Sequence, residues 1–262
     1  MSAGDRARPR LGHVVHEHAE VESTQLELAR LAAAGAPEGT AVTAVHQRAG
    51  RGRQGRSWWD EAGASLLLSV LLRPPLPVSG APVLSLMAGV AVAEALEEVA
   101  GVRAGLRWPN DILVDGAKVS GILAEAVSTG DGCLRYVILG IGVNLNQTGF
   151  PPALAGAATS LHLVTGAACD PARVREAILG ALDRRYREFL GDGFEPSRVA
   201  WRRRSVSLGR PVTGAGRPAG TAVDIDGTGA LVVQQDDGSQ VRVWWVAPAG
   251  QGVEAESDAP RH

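Results

Sequence analysis

The sequence contains a single lysine. Its 26 basic residues comprise 25 arginines and Lys118, so arginine serves wherever a plain positive charge is sufficient. A lysine differs from an arginine in offering a compact, flexible ammonium in place of a planar guanidinium. The composition alone leaves two interpretations open: Lys118 occupies a site that requires an ammonium, or it is a chance survivor in an arginine-rich sequence.

The sequence also has few cysteines and a small net charge. The two cysteines, Cys133 and Cys169, lack CxxC spacing, which is typical of reduced thiols in a cytoplasmic protein. The net charge of −2 disfavours a dedicated nucleic-acid-binding protein, because such proteins usually carry a basic excess. Residues 1–10 lack the apolar run of a signal peptide, and no stretch approaches the roughly 18 apolar residues of a membrane span. The sequence therefore predicts a cytoplasmic protein with no membrane partner.

The order of predicted elements indicates two domains. Strands over residues 11–20, 40–46, 65–72 and 135–144 alternate with helices over 83–100 and 171–190, which predicts an α/β (α+β) domain over residues 11–206. Thr24 and Glu27 have the spacing of a capping box at the start of a further helix. From about residue 207 to 249, short β-prone runs separated by DGTG and DDG turns predict a small all-β barrel. Residues 1–10 and 250–262 are expected to be disordered.

A glycine- and arginine-rich loop, GRGRQGR, occupies residues 50–56 between two predicted strands. Its glycines let the backbone approach a ligand, and its arginines suit phosphate or carboxylate oxygens. The loop formally matches GxGxxG, but the dinucleotide-binding motif also needs a helix at the third glycine and an acidic residue about 20 positions later, and both are missing. The flanking apolar strands disfavour an RNA-binding tract. Trp58 and Trp59 leave this alternative open, because bases can stack on aromatic side chains. The loop predicts a site for a small anion or a nucleotide phosphate.

Two further segments carry polar residues and glycines in unusual places. RWPND (residues 107–111) precedes Lys118 across an Asp115–Gly116 pair, which predicts a type I′ hairpin with Lys118 near Leu113 or Val114. A lysine buried beside the arginine loop would be costly without an anion between them. The alternative is that the polar residues of RWPND only satisfy backbone donors. In ILGIGVNLN (residues 138–146), glycines inside a buried strand predict either a closely approaching ligand or a β-bulge.

Three segments together resemble the motifs of the biotin–protein ligases, in their order and in their spacing. They are GRGRQGRSW, RWPNDILVDGAKVSGIL and GIGVNLN. VESTQ before the first helix matches as well, and the resemblance covers roughly residues 11–248. It implies a class II aminoacyl-tRNA synthetase-like mixed-sheet catalytic domain over 11–206 and an SH3-like domain over 207–249. Related lipoate ligases carry a glycine triplet and a His-Asp pair that this sequence lacks. Arg107 stands where the family often has lysine, and Gln54 where it commonly has a second arginine.

The resemblance implies an activity and its substrates. The enzyme would form biotinyl-5′-AMP from biotin and ATP with Mg²⁺, and transfer biotin to a lysine of a biotin carboxyl carrier domain. No DNA partner is expected, because no helix-turn-helix precedes the first strand, and a monomer and a homodimer are both open. A lipoate or octanoate ligase and a non-catalytic nucleotide- or nucleic-acid-binding module are the alternatives.

The resemblance also implies the site residues. Biotin would be bound by Ser23, Thr24, Gln25, Gln47, Arg51, Gly52, Arg53, Lys118, Gly121, Gly140 and Gly142. ATP and the adenylate would be bound by Arg51, Arg53, Arg56, Trp58, Asn110, Lys118 and Asn144. The catalytic residues would be Lys118, Arg53 and Asp111, with Asp111 orienting or deprotonating the acceptor lysine. The protein alone would hold no metal, and Asn110 and Asp111 would face the Mg²⁺ that arrives with ATP.

Overall fold

The computed structural model describes residues 8–214 and 217–243. The strands of its main sheet are β1 (Val14–Val21), β2 (Thr40–Gln47), β3 (Ser65–Leu72), β4 (Gly105–Arg107), β5 (Asp111–Val114), β6 (Ala117–Ser128) and β7 (Leu134–Asn144). The helices are α1 (Thr24–Ala33), α2 (Ala81–Ala100), α3 (Leu161–Thr165), α4 (Pro171–Asp192) and α5 (Glu195–Arg204). The sheet order is β1-β2-β3-β7-β6-β5-β4. Only β1 and β2 pair in parallel within it, which confirms the predicted mixed sheet.

The sheet is buried on both faces at its centre. Every residue of β3 is buried, because Leu66 and Leu68 join the core formed with α2 and α4, while Leu71 packs with Leu28 of α1 on the other face. This double burial explains why β3 reads as a continuous apolar run without the alternation of a half-exposed strand. The central strands are therefore a rigid support for anything built on them.

Helix α2 is the most apolar helix of the main domain. By length and composition alone, Val78–Ala100 could cross a membrane, so the expectation that no stretch approaches such a span is wrong for this segment. Within its most apolar window, 61% of the residues are buried inside the protein, and α2 packs against α4, α5 and β6. These contacts are those of a core helix.

The first helix begins one residue earlier than the predicted capping box requires. Ser23 is the N-cap, and its Oγ accepts a hydrogen bond from the backbone N of Gln25 at 3.3 Å. Thr24 is already helical, and Glu27 pairs with Arg30 at 2.6 Å. The prediction that Thr24 and Glu27 cap the helix is therefore wrong, because the Thr24 hydroxyl is engaged elsewhere, as described below.

The predicted hairpin joins β5 to β6. Asp115 and Gly116 have φ values of 50° and 83°, the positive values that a type I′ turn requires. Leu113 is the register partner of Lys118, which confirms the predicted position of the lysine across the hairpin.

The C-terminal region forms a separate antiparallel sheet. Its strands are β8 (Pro211–Gly214), β9 (Arg217–Ile225), β10 (Leu231–Gln234) and β11 (Gln240–Val243), in the order β11-β10-β9-β8. This sheet packs on the main domain, where Nε1 of Trp108 donates to the carbonyl of Gly229 at 3.0 Å. The small all-β module predicted from the turn spacing is present. Residues 1–7 and 244–262, which include the tail expected to be disordered, lie outside the described residues.

Candidate active site

A cavity of about 350 Å³ collects the predicted site residues. It lies among the start of α1, the end of β2, the arginine–glycine loop, the β5–β6 hairpin and the middle of β7. Of the predicted residues, those that line it are Thr24, Gln25, Gln47, Arg51, Gly52, Arg53, Arg56, Trp58, Asn110, Asp111, Lys118, Gly121, Gly140, Gly142 and Asn144. Ser23 lies behind Thr24 as the cap of α1 and does not line the cavity.

The glycines of β6 and β7 form the floor of the cavity. A Cβ atom added to Gly142 would lie 2.5 Å from Cε2 of Trp58, and one added to Gly140 would lie 2.6 Å from the side chain of Gln25. The ladder between β3 and β7 runs through both glycines without a register shift, so the β-bulge interpretation is wrong. The glycines are required because other side chains pack directly on the strand backbone.

One end of the cavity carries uncharged polar groups. Oε1 of Gln47 accepts hydrogen bonds from the backbone N of Thr24 at 2.8 Å and from its hydroxyl at 3.0 Å. The hydroxyl of Ser69 donates to Thr24 Oγ1 at 2.9 Å, and Nε2 of Gln25 donates to the carbonyl of Leu123 at 3.2 Å. These bonds fix the amides and hydroxyl in place before any ligand is bound.

The other end of the cavity is charged. Nζ of Lys118 lies 2.6 Å from Oδ1 of Asp111, and a terminal nitrogen of Arg107 lies 2.6 Å from Oδ2. The ammonium also lies 5.6 Å from the centre of the Trp58 ring, within the range of a cation–π contact. Burial alone would raise the pKa of Asp111, but the charges of Lys118 and Arg107 outweigh it and hold that pKa below its ordinary value of 3.8.

Arg53 supplies a further positive charge beside this cluster. Burial lowers the pKa of Arg53, and the attraction of Asp111 offsets only part of the effect, while Arg56 adds repulsion. The guanidinium stays protonated, as arginine side chains do in proteins. Among the described residues, the Arg53 guanidinium donates a long hydrogen bond of 3.5 Å to Oδ1 of Asn110. Arg51, by contrast, pairs with Glu125 at 2.9 Å. Arg53 therefore offers a partly desolvated cation to an incoming anion.

Aromatic side chains close the cavity above the glycine floor. Nε1 of Trp58 is buried and has no hydrogen-bond partner within the described structure, so a ligand with an acceptor can satisfy it. Trp59 packs against Phe150, with ring centres 5.5 Å apart. Sequence analysis missed Phe150 and Leu154, which line the cavity from the segment after β7. That segment has no periodic pattern, and the closest signal was its GFPP turn.

The ionised state of Asp111 gives a test of this geometry. Since the folded pKa lies below 3.8, the carboxylate stabilises the fold above about pH 4, and this contribution is lost as the pH falls through the folded pKa. Asp111→Asn should lower the free energy of unfolding by about 1–3 kcal/mol at pH 7. In urea unfolding, the free energies of unfolding of the wild type and Asp111→Asn should differ by the same amount at pH 7 and pH 5. This difference should become smaller only in stronger acid. A difference that shrinks between pH 7 and pH 5 would contradict the lowered pKa.

Comparisons with known proteins match both domains. A model of the Biotin/lipoate A/B protein ligase family matches residues 18–144, and a model of the Biotin protein ligase C terminal domain matches residues 207–246. The bifunctional ligase/repressor BirA of Bacillus subtilis is 40% identical over 231 residues, covering 86% of this chain and 70% of the relative. A biotin–[acetyl-CoA-carboxylase] ligase of Paracoccus denitrificans is 37% identical over 231 residues, covering 85% of this chain and 95% of the relative.

A solved structure agrees with these matches. The biotin protein ligase from Aquifex aeolicus in complex with biotin and ATP superimposes with a TM-score of 0.77 and 31% identity, covering 88% of this chain and 95% of that one. This protein is a ligase of the biotin and lipoate class. It has the mixed sheet, the small C-terminal sheet, and a cavity that is polar and neutral at one end and positively charged at the other. Within that class, the chain belongs to the biotin–protein ligase family.

Proposed function

We propose that this enzyme joins biotin to ATP and then transfers biotin to a specific lysine of a biotin carboxyl carrier domain. In the first step, a carboxylate oxygen of biotin attacks the α-phosphorus of ATP, and the bond to the β-phosphate breaks, so that pyrophosphate leaves and biotinyl-5′-AMP forms. In the second step, the lysine amine attacks the acyl carbon, AMP leaves and the amine loses a proton. The observation that carries this proposal is that Lys118 and Arg53 lie at one end of a cavity whose other end is neutral and polar.

The polar end suits the fused ring of biotin. Thr24, Gln25 and Gln47 offer convergent hydrogen-bonding groups for the ureido group. Leu67 and the Trp58 ring, which lies on the glycine floor, offer apolar walls for the thioether side. The carboxylate at the end of the biotin chain then extends toward Lys118. Ser23 supports this end indirectly, since it holds the start of α1.

The charged end would bring two anions together. A carboxylate and a triphosphate repel each other, and fixed positive groups between them remove that barrier. Lys118 exchanges part of its contact with Asp111 for the biotin carboxylate and the α-phosphate, and Arg53 binds the phosphate side. Arg51, Gly52 and Arg56 lie in the loop over the cavity, where they would shield the adenylate from water.

The nucleotide would occupy the aromatic side of the cavity. The Trp59–Phe150 pair offers ring surfaces on which a purine stacks. Trp58, which lies over Gly142 and beside Lys118, would form a wall shared by the biotin and nucleotide parts of the cavity. Nδ2 of Asn144 donates to the carbonyl of Thr159 at 2.9 Å, so Asn144 acts by holding the segment that carries Phe150. A nucleotide bound there would have its α-phosphate next to the arginine–glycine loop.

Mg²⁺ would enter as part of the ATP substrate. No group of three or more histidine, cysteine, aspartate or glutamate side chains that could hold a metal occurs in the described parts of the chain. Both oxygens of Asp111 already face cations, so the protein side of the site does not suit a resident ion. Asn110 and Asp111, which line the charged end of the cavity, would be the residues that face a Mg²⁺ carried by the phosphates.

Asp111 would orient the acceptor lysine in the second step. A carboxylate with a lowered pKa is a poor proton acceptor but a good partner for an ammonium or an amine hydrogen. Of the two roles left open by the sequence, orientation is therefore the one proposed. The remaining expectations, a cytoplasmic location, no DNA partner, and a monomer or a homodimer, stay predictions.

ATP–pyrophosphate exchange tests the first step. Exchange that depends on biotin, with lipoate inactive under the same conditions, is the expected result. Exchange driven by lipoate would favour the lipoate ligase alternative. A folded protein that exchanges with neither acid in the presence of Mg²⁺ would favour the binding-module alternative, for which salt-dependent nucleic-acid binding is the follow-up.

A further inference from the structure

A buried carboxylate joins the two ends of the loop region without touching the cavity. Asp60 follows the arginine–glycine loop and its side chain is only 2% exposed. Its Oδ2 accepts a hydrogen bond from Nδ1 of His46 at 2.8 Å and from the backbone N of Gln47 at 3.4 Å. Because a carboxylate oxygen accepts, the hydrogen of this bond lies on Nδ1 of His46. The pair therefore ties the residues after the loop to the end of β2.

The loop between these ends is itself folded as a hairpin. The backbone N of Gly52 donates to the carbonyl of Arg56 at 2.7 Å, and that of Trp58 donates to the carbonyl of Gly50 at 2.9 Å. These bonds connect the two arms of the loop, so its position relative to the cavity depends on how its base is held. Among the described residues, the side-chain hydrogen bonds that join the two ends of the loop to each other are those of Asp60 with His46 and Gln47.

Gln47 and Trp58, which lie at the base of the loop, both face the proposed biotin site. Gln47, whose backbone Asp60 holds, bonds Thr24 at the polar end. Trp58, two residues before Asp60, packs on Gly142 and Gly121 of the floor. A shift at the base of the loop would therefore displace both the Gln47–Thr24 hydrogen bonds and the Trp58 ring, which belong to the same cavity.

We propose that Asp60 and His46 are positioning residues for biotin capture, clamping the base of the loop so that Gln47 and Trp58 keep their places. This inference rests on the proposed function. It does not assign either residue to the chemical steps, because neither lines the cavity. Loss of the clamp should weaken biotin binding while leaving turnover at saturating biotin unchanged.

The test compares Asp60→Ala, Asp60→Asn and the wild-type enzyme. Biotin affinity is measured by calorimetry, and KM for biotin and kcat by pyrophosphate exchange. Asp60→Ala should raise both Kd and KM about tenfold with kcat unchanged. Asp60→Asn should restore values near wild type, since its Oδ1 still accepts from His46. The matched control is Glu20→Gln, which removes a carboxylate from the exposed Glu20–Arg48 pair beside the same strand end and should change nothing.

A purely structural role would give a different pattern. Partial unfolding of Asp60→Ala lowers the active fraction, so the apparent kcat would fall at an unchanged KM, and this would overturn the clamp. Unchanged values for Asp60→Ala would also overturn it. A wild-type enzyme that binds no biotin would instead overturn the proposed function, and the clamp with it.

Discussion

Replacing Lys118 with alanine should lower biotin-dependent pyrophosphate exchange by about a hundred- to a thousandfold, the range found when one fixed donor to a developing charge is removed. The ammonium is the cation that Asp111 and Trp58 hold at the charged end of the cavity. Arg107 keeps its contact with Asp111 in the variant, so the carboxylate retains a partner. The variant should therefore lose much more catalytic rate than stability. Urea unfolding measures its free energy of unfolding.

Two further variants sharpen this prediction. Lys118→Arg restores the charge but should not restore activity, because a planar guanidinium cannot take the place of the compact ammonium that lies beside Asp111 and Trp58. Arg103→Ala removes an exposed positive charge elsewhere and should leave exchange at the wild-type level. A well-folded Lys118→Ala enzyme with wild-type exchange would remove Lys118 from the mechanism.

Gly142→Ala should raise KM for biotin at least about tenfold, equivalent to a loss of roughly 1.4 kcal/mol of binding free energy. The added methyl would lie 2.5 Å from Cε2 of Trp58, closer than carbon atoms approach in proteins. The ring must leave the floor, and the wall that it forms over the cavity moves with it. Steady-state kinetics over a range of biotin concentrations measures the effect.

The matched control for Gly142→Ala is Gly89→Ala in α2. Its added methyl would lie 3.7 Å from Cδ2 of Leu106, an ordinary contact, and alanine favours a helix over glycine by about 0.8–1.0 kcal/mol. Gly89→Ala should therefore be more stable and fully active. An unchanged KM in Gly142→Ala would mean that Trp58 does not form part of the biotin site.

The sequence was most informative where the structure is decided locally. The Asp115–Gly116 turn fixed the hairpin, because few other residue pairs adopt two positive φ values in succession. The all-β character of the C-terminal region followed from its turn spacing. Short elements without a strong pattern, β4, α3 and α5, were not predicted, since packing against larger elements decides whether such segments form.

The site was predicted by resemblance, and its details were not. No pattern in the sequence places Gly140 beneath Gln25 or Trp58 over Gly142, because those contacts depend on the non-local order β3-β7-β6-β5. Thr24 was expected to cap α1, but its hydroxyl bonds Gln47 and Ser69, and Ser23 takes the cap. The engagement of Asp111 by two cations was likewise invisible, although it decides which role that carboxylate can take.

The most direct test of the central claim is the intact mass of a biotin carboxyl carrier domain incubated with the enzyme, ATP, Mg²⁺ and biotin. The account predicts a mass increase of one biotinyl group on a single lysine, dependent on ATP and slowed about a hundred- to a thousandfold by Lys118→Ala. Parallel reactions with lipoate should leave the carrier unmodified. An unmodified carrier in the biotin reaction, or lipoyl transfer in its place, would contradict the assignment of this protein as a biotin ligase.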